Sequence, residues 1–191
     1  MKKIILIAAM VIMSVAAMAQ DFKFGYVDFN EVIMLMPEMD EARKTIEENQ
    51  KTNEEILMTM YKEYETKMQQ YQQNNATWTP AVREMKEKEI MQLEQNLQQN
   101  QQVLQQEIQQ LQQQLQAPIY EKAQKVVNDL AKAKGLALVF EKNSLLYLDP
   151  AQGVDLTPEA RTALKIPADR TLEKLQQELQ ARAQAAAAQG N

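Results

Sequence analysis

The sequence predicts a mainly α-helical protein with a small β body, in which a long helical coiled-coil hairpin projects from a small oligomerising β-sheet domain. Apolar residues recur at helical spacings over residues 37–118. Short runs of aromatic and β-branched residues occur on both sides of that stretch. Because these runs flank the helices, the hairpin is expected to divide the body in the sequence, and both of its ends are expected to start from one sheet.

Residues 1–19 have the three parts of a secretory signal peptide. Lys2 and Lys3 precede an apolar run, and Ala17-Met18-Ala19 forms a small-x-small cleavage site. The competing interpretation, a membrane anchor, needs about 20 apolar residues, and this run is shorter. We expect cleavage near Ala19-Gln20 and an exported mature chain without a membrane span.

The body is predicted from residues 20–36 and 119–166. Three strands are expected, at Phe22–Phe29, Leu136–Phe140 and Leu145–Leu148, with a turn at 141–144 between the last two. Short helices are expected from Glu31 to Met36, with Asn30 as N-cap, and from Thr157 to about Lys165. Gly135 is expected to end the long helix that precedes the second strand.

The arm, residues 37–118, is predicted from two apolar stripes. The stronger stripe has an eleven-residue repeat, which gives about 3.67 residues per turn and a nearly straight line of side chains. Its members are Val82, Leu93, Leu104, Leu115 and Val126, joined by Leu97, Ile108 and Ile119. The weaker stripe, which supplies the partner helix, is Ala42, Ile46, Ile56, Leu57, Met60, Tyr64, Met68 and Tyr71.

The two helices are expected to be joined at residues 74–80, where Pro80 suits the first helical position and Thr79 its N-cap. Pro118 lies inside the returning helix and cannot donate a backbone hydrogen bond. A kink is therefore expected there, and Pro118 is the candidate arm hinge. Residues 167–191 are rich in Ala and Gln and are expected to form a frayed helix or a disordered tail.

The residues that most catalytic and metal sites require are missing. The chain has no Cys and no His, and beyond the signal peptide its one Ser is Ser144. We expect no enzyme activity, no cofactor and no metal. The net charge of −5 becomes −7 without Lys2 and Lys3, so no basic face for nucleic acid is expected. A body of roughly 60 residues without disulfides is marginal alone, which favours self-association.

Several large side chains on the arm are candidates for contact with unfolded chains. Flexible thioethers and amphipathic rings suit surfaces that accept many shapes. The candidates are Met58, Tyr61, Tyr71, Trp78 and Met91. For Trp78 we expect an exposed ring at the tip, and the alternative is a ring folded back on Tyr71 and Met85 to close the seam.

Three blocks of sequence, in order around the long coil, resemble the Skp (OmpH) family of periplasmic chaperones. The first is Phe24-Gly25-Tyr26-Val27-Asp28, and the second runs from Ala117 to Ala123 and continues to Phe140. The third is Leu146-Tyr147-Leu148-Asp149-Pro150 with Asp155-Leu156-Thr157. The resemblance covers about Phe24 to Ile166.

The resemblance implies a tentacled homotrimer in the periplasm that holds unfolded outer-membrane proteins between its arms without ATP. The candidate residues of the trimer body are Phe24, Tyr26, Val27, Leu138, Val139, Phe140, Leu146 and Tyr147. Familiar members are basic, whereas this chain has a pI of about 5.0, so binding of lipopolysaccharide through a basic patch is not expected. The alternative function is a structural coiled-coil spacer or adaptor of the cell envelope.

Overall fold

The structure, a computed structural model, describes residues 23–149 and 151–189. The predicted signal peptide and its cleavage site lie outside these residues. The elements in chain order are β1 (Phe24–Val27), α1 (Phe29–Leu35), α2 (Pro37–Asn74), α3 (Pro80–Ala133), β2 (Leu138–Glu141), a 3-10 turn (Lys142–Ser144), β3 (Gly153–Asp155), α4 (Thr157–Ala163) and α5 (Leu172–Gln189). The predicted fold class, long helices with a small β body, is confirmed.

Contacts divide the chain into two compact units. The arm is Glu38–Ile119, and the body contains the described residues on either side of it, 23–37 and 120–189. The predicted arm was 37–118. Residues 167–189, which were expected to form a frayed helix or a disordered tail, contain helix α5 and belong to the body by their contacts.

The sheet of the body has three strands in the order β2-β1-β3, and both neighbours run parallel to β1. Gly25 lies in the central strand where a side chain has no room. A Cβ there would stand 2.7 Å from Leu136 Cδ1 and 3.1 Å from the carbonyl oxygen of Val154. Glycine therefore allows the Leu136 side chain and the backbone of β3 to approach β1 closely.

The strand predicted at Leu145–Leu148 is wrong, because the third strand is Gly153–Asp155. Leu146 and Tyr147 are instead strongly exposed. A short continuous run of apolar residues does not distinguish a strand from an exposed apolar segment. The strand β3 has only three residues and one large apolar side chain, so the sequence shows no pattern from which a strand could be predicted there.

The first strand ends earlier than predicted because Asp28 caps α1. Its Oδ1 accepts a hydrogen bond from the Glu31 amide at 2.8 Å, so the prediction of Asn30 as the N-cap is wrong. The Asp28 amide donates to Thr157 Oγ1 at 2.9 Å, and the Phe29 amide donates to Glu141 Oε2 at 3.0 Å. These bonds join the start of α1 to β2 and to α4.

The ends of the long helix α3 follow the predicted signals. The Val82 amide donates to Thr79 Oγ1 at 3.4 Å, which confirms the N-cap. At the other end Gly135 has a φ of 64°, and the Leu136 and Gly135 amides donate to the carbonyls of Ala131 and Lys132. This is the Schellman arrangement, and it confirms the predicted C′ glycine.

The core of the body lies mainly on its short helices. The largest side chains with almost no exposure belong to α1, to Met36 after it, and to the segment around α4: Val32, Leu35, Met36, Leu156 and Leu164. The long helix α3 adds Ala123 and Val127 near its end. The C-terminal helix α5 adds Leu175.

Candidate functional site

The seam of the arm is formed by both predicted stripes. Leu97 is buried, and the other stripe members of α3 within the arm are buried or half-buried. On α2, Ala42 is buried and the remaining members are half-buried, except Ile56, which is exposed. The pattern therefore placed the seam correctly, with Ile56 as the one member that does not belong to it.

Polar contacts cross the seam between α2 and α3. Lys67 Nζ lies 3.4 Å from Glu89 Oε2, and Gln101 Nε2 donates to Tyr61 Oη at 2.8 Å. Glu89 also pairs with Lys86 at 2.9 Å. The hydrogen bond from Lys86, with a further one from Lys67, holds the pKa of Glu89 below its usual value. These contacts fix the register of two antiparallel helices.

The tip of the arm is closed by aromatic packing. The Trp78 ring stands edge-on against Tyr71, with 5.9 Å between the ring centroids, and is half-buried. The expectation of an exposed Trp78 is therefore wrong in the free chain, and the ring folds back on Tyr71. Met85, the other suggested neighbour, is exposed. Tyr71 donates to Glu87, and this hydrogen bond raises the pKa of Tyr71.

Three of the predicted contact residues are exposed on the arm. Met58 is 71% exposed, Met91 55% and Tyr61 47%. The bond between Tyr61 and Gln101 shows which sides of α2 and α3 lie together. Met58 precedes Tyr61 by three residues and therefore shares its helix face. These positions define one edge of the hairpin.

Met91 lies along the same edge. It precedes Gln101 by ten residues, or about 1000° of helix rotation, so it is turned about 80° from Gln101 on the side away from the buried Leu97, and Gln98 lies between them on the helix surface. We call the surface formed by Met58, Tyr61, Met91, Gln98 and Gln101 the methionine edge. At 1.5 Å per residue, Met58 and Tyr61 lie about 4.5 Å apart along the hairpin, and Met91 lies about 15 Å from Tyr61 and about 20 Å from Met58.

Two further exposed apolar residues of the arm, Val103 and Met85, were not among the predicted contact residues. Val103 follows Gln101 by two residues, so it faces away from the methionine edge. Met85 precedes Met91 by six residues, or about 600° of helix rotation, which also turns it away. A repeat pattern predicts which residues lie in the seam. Which exposed residues share one edge of the hairpin depends on the contacts between the two helices.

A second apolar surface lies on the body, around the edge strand β2. Leu138 and Phe140 are exposed, Phe140 stands edge-on against Phe24 at 6.0 Å, and Leu146 and Tyr147 follow in the chain. We call Leu138, Phe140, Leu146 and Tyr147 the β2 surface. The other predicted trimer residues lie deeper, since Tyr26 and Val27 are buried and Phe24 and Val139 are half-buried.

Within the described part of the chain, no group of three or more His, Cys, Asp or Glu side chains could hold a metal ion. In the same residues, no helix combines the length and the hydropathy of a membrane span. Pro118 lies inside α3 as predicted, and the helix continues past it to Ala133. Its role as a hinge stays a prediction.

The sequence comparisons agree with this architecture. A family model described as "Outer membrane protein (OmpH-like)" matches residues 23–164. The chain belongs to the OmpH family. A curated relative, "Chaperone protein Skp" of Yersinia enterocolitica, is 24% identical over 153 residues, which cover 80% of this chain and 92% of the relative. Membership of the OmpH family supports a chaperone-like, non-enzymatic role for this chain. The match ends at residue 164, before α5 begins.

Proposed function

We propose that this protein is an ATP-independent holdase of the periplasm that binds unfolded outer-membrane proteins between its helical arms and keeps them from aggregating. The proposal is supported by the family and by a relative named as a chaperone. The arm adds a physical reason. A holdase needs apolar contact area that stays in water while no client is bound.

The observation that carries the proposal is the methionine edge. Met58 and Met91 expose more than half of their side chains on a helical hairpin whose other large residues mostly lie in the seam. Methionine has three rotatable bonds and a polarisable sulfur, so it packs against side chains of many shapes. An extended client of about five residues spans the 15 Å that separates the levels of Tyr61 and Met91.

The arms act together, in this proposal, because several copies assemble through their bodies. The β2 surface supports self-association, because an edge strand with exposed apolar side chains gains stability when another chain covers it. A trimer, as the family resemblance implies, places three methionine edges in one assembly. Several weak contacts on linked arms then hold one client more tightly than a single arm does.

The polar side chains of the arm are compatible with the binding of unfolded clients without catalysis. These side chains are mainly Gln and Glu, and some of the charges form ion pairs within the hairpin, as in the contact of Lys67 and Lys86 with Glu89. Such groups keep the arm soluble without binding a particular sequence. Binding of clients by shape-tolerant apolar contact requires no nucleotide and no metal.

The test is suppression of aggregation when an unfolded outer-membrane β-barrel is diluted from urea without nucleotide. The wild-type chain is expected to keep the barrel soluble. The double variant Met58→Ser and Met91→Ser is expected to lose at least about ten-fold in apparent affinity, which corresponds to about 1.4 kcal/mol. The control is Met85→Ser with Val103→Ser, which removes exposed apolar side chains, of smaller total area, from outside the methionine edge.

The control is expected to behave as wild type. Failure of the wild-type chain to suppress aggregation contradicts the proposed function. Equal losses in the two double variants contradict the assignment of binding to the methionine edge.

A further inference from the structure

The C-terminal helix α5 lies beyond the residues matched by the family model and yet is built into the body. Thr171 caps it, since Thr171 Oγ1 accepts from the Lys174 amide at 3.2 Å. One turn later Leu175 is only 3% exposed. Helix α1 has contacts with both α4 and α5. The first turns of α5 therefore pack on the body.

One arginine joins the three segments that meet here. Arg161 of α4 pairs through Nη1 with Glu31 of α1. Its Nη2 donates to the carbonyl of Pro167 at 3.1 Å and to that of Arg170 at 2.6 Å. A planar guanidinium that satisfies a carboxylate and two carbonyls fixes the geometry of all of them. The turn that leads into α5 is thus held against α1.

The contact is confined to the beginning of α5. Arg170 pairs with Glu178 at 3.1 Å, which ties the start of the helix to its second turn. The described side chains from Gln176 to Ala188 are exposed, and Leu179, one turn after Leu175, is 38% exposed. Since Leu175 is the buried residue among the described side chains of α5, the docking of the helix depends on the few contacts around it.

Helix α1, which α5 contacts, and the segment after α4 contribute some of the most buried apolar side chains of the body. Val32 and Leu35 of α1 and Leu164 after α4 have almost no exposure. If α5 dissociated from the body, the apolar surface that Leu175 covers would be exposed to water, in addition to the β2 surface. A body with two open apolar surfaces can join other chains through both, and such assembly does not close.

We propose that α5 is an intramolecular cap, which occupies through Leu175 an apolar site on α1 and α4 and thereby confines self-association to the β2 surface. The second part rests on the self-association proposed above. The cap is favoured over another chain because a short linker holds α5 beside its site at a high effective concentration.

The test compares three full-length mature chains: wild type, Leu175→Asp and the matched control Leu179→Asp. Both substitutions place a carboxylate on α5, one turn apart, but only the first falls in the contact. Sedimentation velocity reports the assembly. A fluorescent peptide of residues 167–189 with the wild-type sequence reports whether the site is open.

Leu175→Asp is expected to form species larger than wild type that grow with concentration. It is also expected to bind the peptide at least about ten-fold more tightly than wild type or Leu179→Asp does. An excess of peptide is expected to return Leu175→Asp to the sedimentation of wild type. Hydrogen exchange is expected to be faster over α1 and the first turns of α5 in this variant alone.

Identical sedimentation and peptide binding in the two variants overturn the proposal. Larger species that the peptide does not reverse also overturn it, because they show unfolding of the body and not an opened site. If circular dichroism shows that Leu175→Asp is unfolded, Arg161→Gln decides by the same peptide assay, since it loosens the turn without charging the site. A monomeric wild-type chain contradicts the proposed self-association, and peptide binding then decides the role of α5 alone.

Discussion

The body and the arm of this protein solve the same problem, covering apolar side chains, in different ways. The body places Leu35, Met36 and Leu156 out of contact with water and fixes its strands and helices with side-chain bonds to backbone amides. The arm has a two-helix seam in which most apolar residues are half-buried, with ion pairs at its sides. We infer that the body tolerates few substitutions, whereas the arm can vary and leave apolar groups available for binding.

The largest expected effect is a core truncation in the body compared with the same truncation in the arm. Leu35→Ala is expected to lower the free energy of unfolding by about 2–5 kcal/mol, because it leaves a cavity that rigid neighbours cannot fill. Leu104→Ala, at a half-buried seam position, is expected to cost about 1 kcal/mol. Urea unfolding followed by circular dichroism measures both. Equal losses would show that the seam is packed as tightly as the body.

A substitution in the central strand sharpens the comparison. Gly25→Ala places a Cβ 2.7 Å from Leu136 Cδ1 and 3.1 Å from the carbonyl oxygen of Val154, and the second of these is backbone that cannot rotate away. We expect a loss of about 1–3 kcal/mol in thermal or urea unfolding. Gly135→Ala is a control of another kind, because no atom lies within 4 Å of its Cβ and its cost comes from the positive φ alone. A neutral Gly25→Ala would contradict the close approach at β1.

At the tip of the arm, the packing of Trp78 on Tyr71 predicts a fluorescence that is partly protected without client. Iodide is expected to quench Trp78 less than it quenches a free indole, and Tyr71→Ala is expected to raise the quenching and shift the emission to the red. Quenching of the wild-type protein as complete as that of the free indole would show that the ring is exposed in solution.

The smallest expected effect concerns the pH dependence of the arm. The folded pKa of Glu89 is lowered from its usual 4.5 by Lys86 and Lys67. Its contribution to stability is therefore fully present above pH 4.5 and is lost as the pH falls through the lower folded value. Glu89→Gln is expected to remove a small part of the acid sensitivity, which urea unfolding at several pH values measures. An unchanged pH profile would contradict the contribution of this ion pair.

Much of the architecture was predictable because it depends on local periodicity. The repeat through Leu93, Leu104 and Leu115, the cap at Thr79 and the stop at Gly135 are short-range signals, and the structure has all of them. The third strand was not predictable, because β3 is too short to show a pattern and is selected by its pairing with β1. The cap at Asp28 was missed for a similar reason. It depends on where the strand ends, and the pairing of β1 decides that.

The sequence predicted most of the residues of the candidate site, but it did not predict that they lie along one edge. Met58, Tyr61 and Met91 could be recognised individually as residues outside the stripes. Their position along one edge depends on the register between two helices, which the contact of Gln101 with Tyr61 fixes. Trp78 was expected to be exposed because the sequence places it in a turn, but its ring finds Tyr71 through the close approach of the two helix ends.

The most direct test of the central claim, that clients bind along the methionine edge, is site-specific photo-crosslinking with an unfolded outer-membrane β-barrel. A photoreactive residue is placed at position 58, 91, 85 or 103, one at a time, in the otherwise wild-type chain. We expect strong crosslinks to the barrel from positions 58 and 91, and crosslinks at least about five-fold weaker from 85 and 103, because only the first pair faces the proposed client. Crosslinks of equal strength from all four positions, or stronger ones from 85 and 103, would contradict the account.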